Sequence, residues 1–347
     1  MKKIAINGRF LEQKVTGVQR YAREILLELD KCIVDEDIEL IIPSSVTERM
    51  PYKNIKVVKV GKSSGVLWEQ FSYAAYVISK KALALNLCNS APVLCPGIVC
   101  IHDVKIKARP QDFSKKFLAW YIFMYHFVVK RAKEIVTVSE FSKREICKYY
   151  RINEEKVIVN PNGWQHFQRI PFDEHTLEKY KLKREEYFFS MGSLEPNKNF
   201  RWIADAALRN PQYLFVVAGA INQKVFSQKL GFECPANMIL IGYVTDAEAK
   251  TLMRDACAFL FPSFYEGFGI PPLEALSVNT SVICSDIPVM HELFEEYVEY
   301  IDPQIPCFEY SRNEQGDKSR ILEKFSWEKS AKKIYKLIKG NKYNEKN

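Results

Sequence analysis

Short runs of β-branched and other apolar residues recur along the chain, separated by stretches in which apolar positions return every three or four residues. The runs are Ile4-Ala5-Ile6, Ile38 to Ile42, Ile55 to Val60, Ile98 to Ile101, Ile135 to Val138 and Val157 to Val159. They continue with Tyr187 to Met191, Leu214 to Ala218, Met238 to Ile241, Ala258 to Phe261 and Val282 to Cys284. Near-continuous apolar runs of this length predict strands buried on both faces of a parallel sheet. The stretches between them predict amphipathic helices. In the first, Val18, Tyr21, Ala22, Ile25 and Leu29 share one face, with Arg20, Arg23 and Glu28 elsewhere. Alternating strand and helix predicts an α/β architecture with right-handed crossovers.

Several runs end in residues capable of chemistry. Ile4–Ile6 leads into Asn7-Gly8-Arg9, Ile98–Ile101 into His102-Asp103, and Ile135–Val138 into Ser139. Tyr187–Met191 is followed by Gly192-Ser193, and Ala258–Phe261 by Pro262-Ser263. Open α/β sheets bind ligands outside the carboxyl ends of their strands, so these junctions predict ligand clefts. A polar stretch between Pro161 and Arg184 predicts a domain boundary. The reading is one Rossmann-like domain over 1–165 and a second over 166–323. The lysine-rich segment 324–347 reads as a single helix that completes the first domain.

Composition narrows the class. The chain has 347 residues, 47% hydrophobic and 27% charged, which excludes a disordered or fibrous protein. Its nine cysteines include no CxxC pair, and Asn7, Gly8 and Arg9 interrupt the only apolar start, so no signal-peptide pattern is present. Both observations predict reduced thiols in a cytoplasmic protein. The longest apolar run, Phe117 to Val129, is thirteen residues and contains His126, short of the ~20 needed to span a bilayer. Residues 1–165 carry 27 Lys and Arg against 17 Asp and Glu, whereas 166–347 carry 23 against 25. The basic half suits a phosphate-bearing substrate, an anionic membrane surface or a nucleic acid.

The densest constellation runs from Phe261 to Leu276. A buried strand enters a turn containing Gly267 and Gly269; Pro271 and Pro272 sit where a helix begins, and Glu274 falls in its first turn. The backbone amides of Gly267 to Ile270, through Phe268 and Gly269, would face an anion in front of that helix. Glu266 and Glu274 resemble the E-x7-E signature of the retaining glycosyltransferases of family 4, which have the GT-B fold of two facing Rossmann-like domains with a cleft between them. The resemblance extends along the chain in order. It takes in Asn7-Gly8-Arg9, Thr16-Gly17-Val18-Gln19-Arg20-Tyr21, Trp68-Glu69-Gln70, His102-Asp103, Ser139-Glu140-Phe141-Ser142, Asn162-Gly163, the segment from Gly192 to Asn199, and Phe325-Ser326-Trp327. The opening motif is similar to a bacterial subgroup of mannosyltransferases.

The resemblance implies roles for individual residues. Lys198 matches the lysine that binds the donor diphosphate, with Ser193 in the same loop where many members have arginine. Gly17 opens the first helix near that diphosphate. Glu274 resembles the carboxylate that binds the donor ribose, and Glu266 the one near the donor sugar. His102 corresponds to a histidine that contacts the transferred sugar near its reacting carbon, with Asp103 beside it. Acceptor-side candidates are Arg9, Arg20 and Ser139; Ser139 also reads as a helix cap.

The implied reaction moves a hexose from a nucleotide-sugar, GDP-mannose ahead of a UDP-hexose, with retention at the anomeric carbon. It needs no metal or other cofactor. The implied acceptor is a lipid-linked oligosaccharide or a surface polysaccharide, and no nucleic acid takes part. Phe113 to Val129, followed by Lys130, Arg131 and Lys133, reads equally as a membrane-surface segment or a core helix, so a peripheral position on the inner face of the cell membrane is a further expectation. Two other classes stay open: a sugar-nucleotide epimerase on the same fold, and a non-catalytic module binding a membrane or a polyanion. A nicotinamide dehydrogenase does not fit, because no GxGxxG follows the first strand.

Overall fold

The computed structural model describes residues 3–219, 234–310 and 316–340. The chain divides into two compact units. One comprises Met1–Gly163 with Ser326–Asn347, and the other Trp164–Phe325.

In the first unit the described strands form a seven-stranded sheet. They are β1 (Ile4–Asn7), β2 (Ile38–Ile42), β3 (Lys56–Lys59), β4 (Leu83–Asn86), β5 (Ile98–Cys100), β6 (Glu134–Thr137) and β7 (Val157–Val159). Their order is β3-β2-β1-β4-β5-β6-β7, and every pairing is parallel. β1, β2, β4 and β5 are buried along their whole length, as strands covered on both faces must be. β3 lies at one edge, and its exposed Lys56 and Lys59 discourage pairing with another chain. The hydrophobic pattern did not anticipate β4. Its Leu-Ala-Leu-Asn sequence consists of helix formers and an asparagine, and only its central place in the sheet makes it a strand.

Helix α1 (Gly17–Cys32) buries Tyr21, Ala22, Ile25, Leu26 and Leu29, the expected face. The helix read over 324–347 begins three residues later than expected and spans Trp327–Ile338 among the described residues. Ser319–Lys324 is a separate short helix, and the chain breaks at Phe325-Ser326 before the longer one. Ser326 starts the latter by accepting a hydrogen bond from the Lys329 amide at 3.3 Å; residues 341–347 lie outside the described residues. The final helix packs on α1. Trp327, Ala331 and Ile334 are buried, the Trp327 ring meets Tyr21 edge-on at 5.9 Å, and Ser330 Oγ donates to the Pro161 carbonyl at 2.6 Å.

The aromatic segment near residue 120 is a helix, Lys115–Arg131, that divides its side chains between two environments. Met124, Tyr125, Val128 and Val129 are buried, while Phe117, Ile122 and Phe123 face solvent. Among the described residues no helix is long and apolar enough to cross a membrane.

The second unit contains a six-stranded sheet among the described residues. Its strands are β8 (Tyr187–Met191), β9 (Leu214–Ala218), β10 (Met238–Gly242), β11 (Ala258–Phe261), β12 (Ser281–Ser285) and β13 (Glu299–Ile301). The order is β10-β9-β8-β11-β12-β13, again all parallel. The hydrophobic pattern does not anticipate β13 either, because two half-buried residues and one buried residue at a sheet edge leave little pattern. At Gly219 (φ +95°) an added Cβ would lie 2.0 Å from the Gly192 carbonyl oxygen, so the chain leaving β9 can approach the loop after β8 only as glycine.

In each sheet, strand order reverses direction once, between β1 and β4 in the first unit and between β8 and β11 in the second. These are the topological switch points at which α/β sheets bind ligands. Trp327→Ala should destabilise the first unit by about 3–5 kcal/mol, the usual range for emptying a buried tryptophan site, seen as a lower midpoint in urea unfolding.

Candidate active site

At the switch point of the second unit, two loops are stitched together. The loop after β8 runs through Gly192 and Ser193 to a short turn at Pro196–Lys198, then enters the helix Phe200–Arg209. Asn199 has φ +55° and donates its amide to the carbonyls of Pro262 (3.0 Å) and Pro303 (2.7 Å). Asn197 donates to the Tyr265 carbonyl at 3.2 Å and accepts from the Phe264 amide at 2.8 Å through its backbone oxygen. This lacing puts Lys198 Nζ 2.7 Å from Glu266 Oε1, above the Phe261 ring at 5.3 Å. Two residues picked from sequence positions 68 apart therefore form one pair. Their side chains remain 22% and 14% exposed, so an incoming anion can take over the ammonium. Ser193 lies on the same loop and is exposed.

After Glu266 the chain turns through Gly267 and Phe268 to Gly269 (φ +108°), the residue before a helix over Ile270–Ser277. Phe268 is buried against Phe325, ring centroids 5.2 Å apart. Pro271 and Pro272 have no N–H, so the donors at this terminus reduce to the amides ahead of them. Glu274 is the fifth helical residue and so lies in the second turn, not the first as the sequence suggested. Its position beyond the terminus makes dipole compensation a minor role. Instead its Oε1 accepts a 2.7 Å hydrogen bond from His166 Nε2, with Glu274 6% and His166 2% exposed. His166 was not among the residues singled out from sequence. It lies 108 positions away, and a lone histidine after Asn162-Gly163 carries no signal of that contact.

The switch point of the first unit holds a different network. Gly8 has room for no Cβ, which would sit 2.5 Å from the Ile41 carbonyl oxygen. Asn7 on its one side donates to Glu69 Oε2 and Asn86 Oδ1, both at 2.9 Å. Arg9 on the other reaches Ser90 Oγ at 3.1 Å and Glu69 Oε1 at 3.4 Å. Glu69 is fully buried in a π-helical turn, Trp68–Tyr73, and also accepts from Ser90 Oγ at 2.7 Å. Such turns often mark functional segments. Asn7, Arg9, Gln13, Glu69, Leu87 and Ser90 line a recess there, one cation balanced by one carboxylate.

His102, at the end of β5, belongs to the same neighbourhood. Its Nε2 donates to the Leu87 carbonyl at 2.9 Å, its amide donates to Asn89 Oδ1 at 2.6 Å, and Tyr21 of α1 meets its ring edge-on at 4.8 Å. With Nε2 committed as a donor, Nδ1 is the acceptor nitrogen. Burial pushes the imidazole pKa down to about 4, so the ring is neutral at physiological pH. Asp103 accepts from the Lys105 amide at 2.9 Å, two residues ahead of a short helix over Lys105–Ala108. Ser139 is buried and caps the helix Glu140–Tyr150, accepting from the Ser142 amide at 3.0 Å. Gly17 is the exposed first residue of α1, just after Thr16, whose amide donates to Gln19 Oε1 at 3.2 Å; Arg20 is half-buried one turn on.

A family model described as glycosyl transferases group 1 matches residues 173–346, half of the chain. The chain belongs to this family. It is 29% identical over 318 residues to the O-antigen chain mannosyltransferase RfbU of Salmonella typhimurium, covering 86% of each chain. It is 25% identical over 322 residues to O-antigen chain mannosyltransferase B of Escherichia coli, covering 84% of each. Among solved structures, sucrose-phosphate synthase from Thermosynechococcus elongatus aligns with a TM-score of 0.74 at 14% identity, over 98% of this chain and 99% of that one. The fold is thus GT-B in type, with two Rossmann-like units, and this group 1 glycosyltransferase is an enzyme of sugar transfer.

The neutral buried histidine gives the glycosyltransferase a defined pH response. The folded state holds His102 unprotonated down to about pH 4, whereas the unfolded chain takes up that proton near 6.5. Stability from this group is complete above pH 6.5 and is lost as pH falls from there toward 4, by up to about 3 kcal/mol. His102→Gln should flatten that part of the stability profile, measured by urea unfolding at a series of pH values.

Proposed function

We propose that this glycosyltransferase moves a hexose from a nucleotide-sugar to a lipid-linked oligosaccharide or polysaccharide acceptor, with retention of anomeric configuration. The observation that carries the proposal is the Lys198–Glu266 pair at the β8/β11 switch point. A diphosphate leaving group needs a cation that is near, partly desolvated and releasable. Lys198 meets those conditions, with Glu266 holding the ammonium until the donor arrives. Glu274 takes the donor ribose, and the turn Gly267-Phe268-Gly269 borders the diphosphate, with Ser193 and Gly17 as further donor contacts. The names of the two O-antigen relatives support mannose as the sugar and hence GDP-mannose as donor, with UDP-hexose the alternative.

His102, neutral and with Nδ1 as acceptor, suits a hydroxyl of the transferred sugar and leaves the developing positive charge unopposed. An oxocarbenium-like transition state flanked by Glu266 and the departing diphosphate favours attack from the leaving-group face. The acceptor docks on the first unit at the recess beside Arg9, with Arg20 and Ser139 as further acceptor-side residues, while Asp103 acts beside His102 at the reacting centre. The exposed Phe117, Ile122 and Phe123, on a helix that also carries Lys115, Lys116, Lys130 and Arg131, support contact with an anionic membrane that presents the lipid-linked acceptor.

Lys198→Ala and Glu274→Ala should each weaken GDP or UDP binding by ~10- to 100-fold, the loss expected when a charge-assisted contact is removed. His102→Ala should leave nucleotide affinity nearly unchanged and slow turnover. Calorimetry and transfer assays separate the two, and the anomeric configuration of the product, read by NMR, would exclude the retaining mechanism if inverted. Phe117→Ser with Phe123→Ser should reduce co-sedimentation with vesicles containing phosphatidylglycerol while sparing nucleotide binding; equal co-sedimentation would remove the membrane contact.

A further inference from the structure

A glutamate side chain has three rotatable bonds, and holding it in one rotamer costs up to about 2 kcal/mol of conformational entropy. A carboxylate that must grip a diol therefore gains from being fixed in advance. Glu274 is fixed by a residue from a distant part of the second unit. His166 Nε2 lies 2.7 Å from Oε1, and among the described residues Oε2 takes no hydrogen bond, although it is not one of the sealed polar atoms without a partner.

The histidine is itself held firmly. It lies in the short helix Gln165–Arg169, just inside the second unit. Trp164 Nε1 donates to the Leu322 carbonyl at 2.9 Å, and Gln165 Nε2 to the Phe325 carbonyl at 3.0 Å. Phe167 is buried on the far side, under the Lys250 ammonium at 5.7 Å. Anchors on both flanks leave the imidazole little freedom to swing away.

We propose that His166 is a positioning residue for donor recognition: its Nε2–H occupies Oε1 of Glu274 and presents Oε2 to the vicinal hydroxyls of the donor ribose. This rests on the assignment of Glu274 as the ribose-binding carboxylate. A ribose diol offers two O–H donors to a carboxylate edge, so discrimination between ribose and deoxyribose depends on the angle of that edge. His166 sets the angle without touching the ligand.

The test compares two ligands on one protein, so a general loss of stability cancels. Calorimetry would give the affinity ratio of GDP to 2′-deoxy-GDP and 3′-deoxy-GDP, and likewise for the uridine series. The full-length wild-type chain should prefer the ribonucleotide by roughly tenfold or more. His166→Phe should lower that ratio at least several-fold, mainly by weakening ribonucleotide binding, and His166→Gln, which keeps an N–H donor, should restore part of it. If His166→Phe leaves the ratio unchanged while Glu274→Gln collapses it, the positioning role is overturned and the ribose assignment stands. If Glu274→Gln leaves it unchanged as well, the ribose assignment fails. Should the His166 variants not fold, 15N NMR of the wild-type imidazole decides: Nε2 carries the proton with and without GDP, and an unprotonated Nε2 overturns the proposal.

Discussion

Parallel strands cannot be joined by a tight hairpin, and that constraint organises both units of this glycosyltransferase. Every return to the starting edge of a sheet takes a crossover, and crossovers deposit helices on both faces. The strands then lie in an apolar interior, and their ends become the places where polar chemistry is cheap. Because all strands point the same way, their carboxyl ends share an edge. At β1/β4 and β8/β11, adjacent chains depart in opposite directions and leave a gap that side chains can enter. Arg9, Leu87 and Ser90 stand at one gap, and Lys198 with Glu266 at the other. Polar side chains gather at these edges because the sheets are parallel.

Two ion pairs at these gaps illustrate opposite uses of charge. Glu69 is entirely buried and surrounded by donors from Asn7, Arg9, Gln70 and Ser90. Removing one partner would leave a charge in a dry site, which makes the network a fixture that ties β1 to β4. Lys198 and Glu266 pair at shorter range yet remain partly wet. Water still reaches this pair, so its charges are not sealed into the fold as those around Glu69 are. Burial thus separates a carboxylate enclosed by its donors from one that solvent still reaches.

Much of this was legible in the chain itself, and the exceptions have physical causes. Runs such as Ile38–Ile42 and Leu214–Ala218 became strands because β-branched and apolar residues in short blocks suit a doubly covered sheet. β4 escaped notice because Leu and Ala state no preference for a strand, and β13 because three residues cannot show a period. The segment from Lys324 onward read as one helix, yet Ser326 is a better cap than a helix interior residue, and the chain restarts there. Glu266 and Glu274 stand out through their glycine and proline framing, and Lys198 through the likeness of its loop to the family's. His166 does not, since its contact with Glu274 is made only by tertiary structure. Local grammar finds residues that announce their own turn or helix. It does not find the ones that matter only through a partner.

The division of the chain has a consequence for biosynthesis. The first unit is interrupted: its last helix, Trp327–Ile338, follows the entire second unit in sequence. During translation, at about 5–20 residues per second, the side of α1 on which Trp327 meets Tyr21 stays open until the second unit has emerged. The second unit, being continuous from Trp164 to Phe325, has all its residues earlier. The usual order of maturation is therefore reversed, with the downstream unit complete before the upstream one. The nascent amino-terminal half is the portion that needs shielding, and a chain stopped shortly before Trp327 would carry its defect at the opposite end of the sequence from the break.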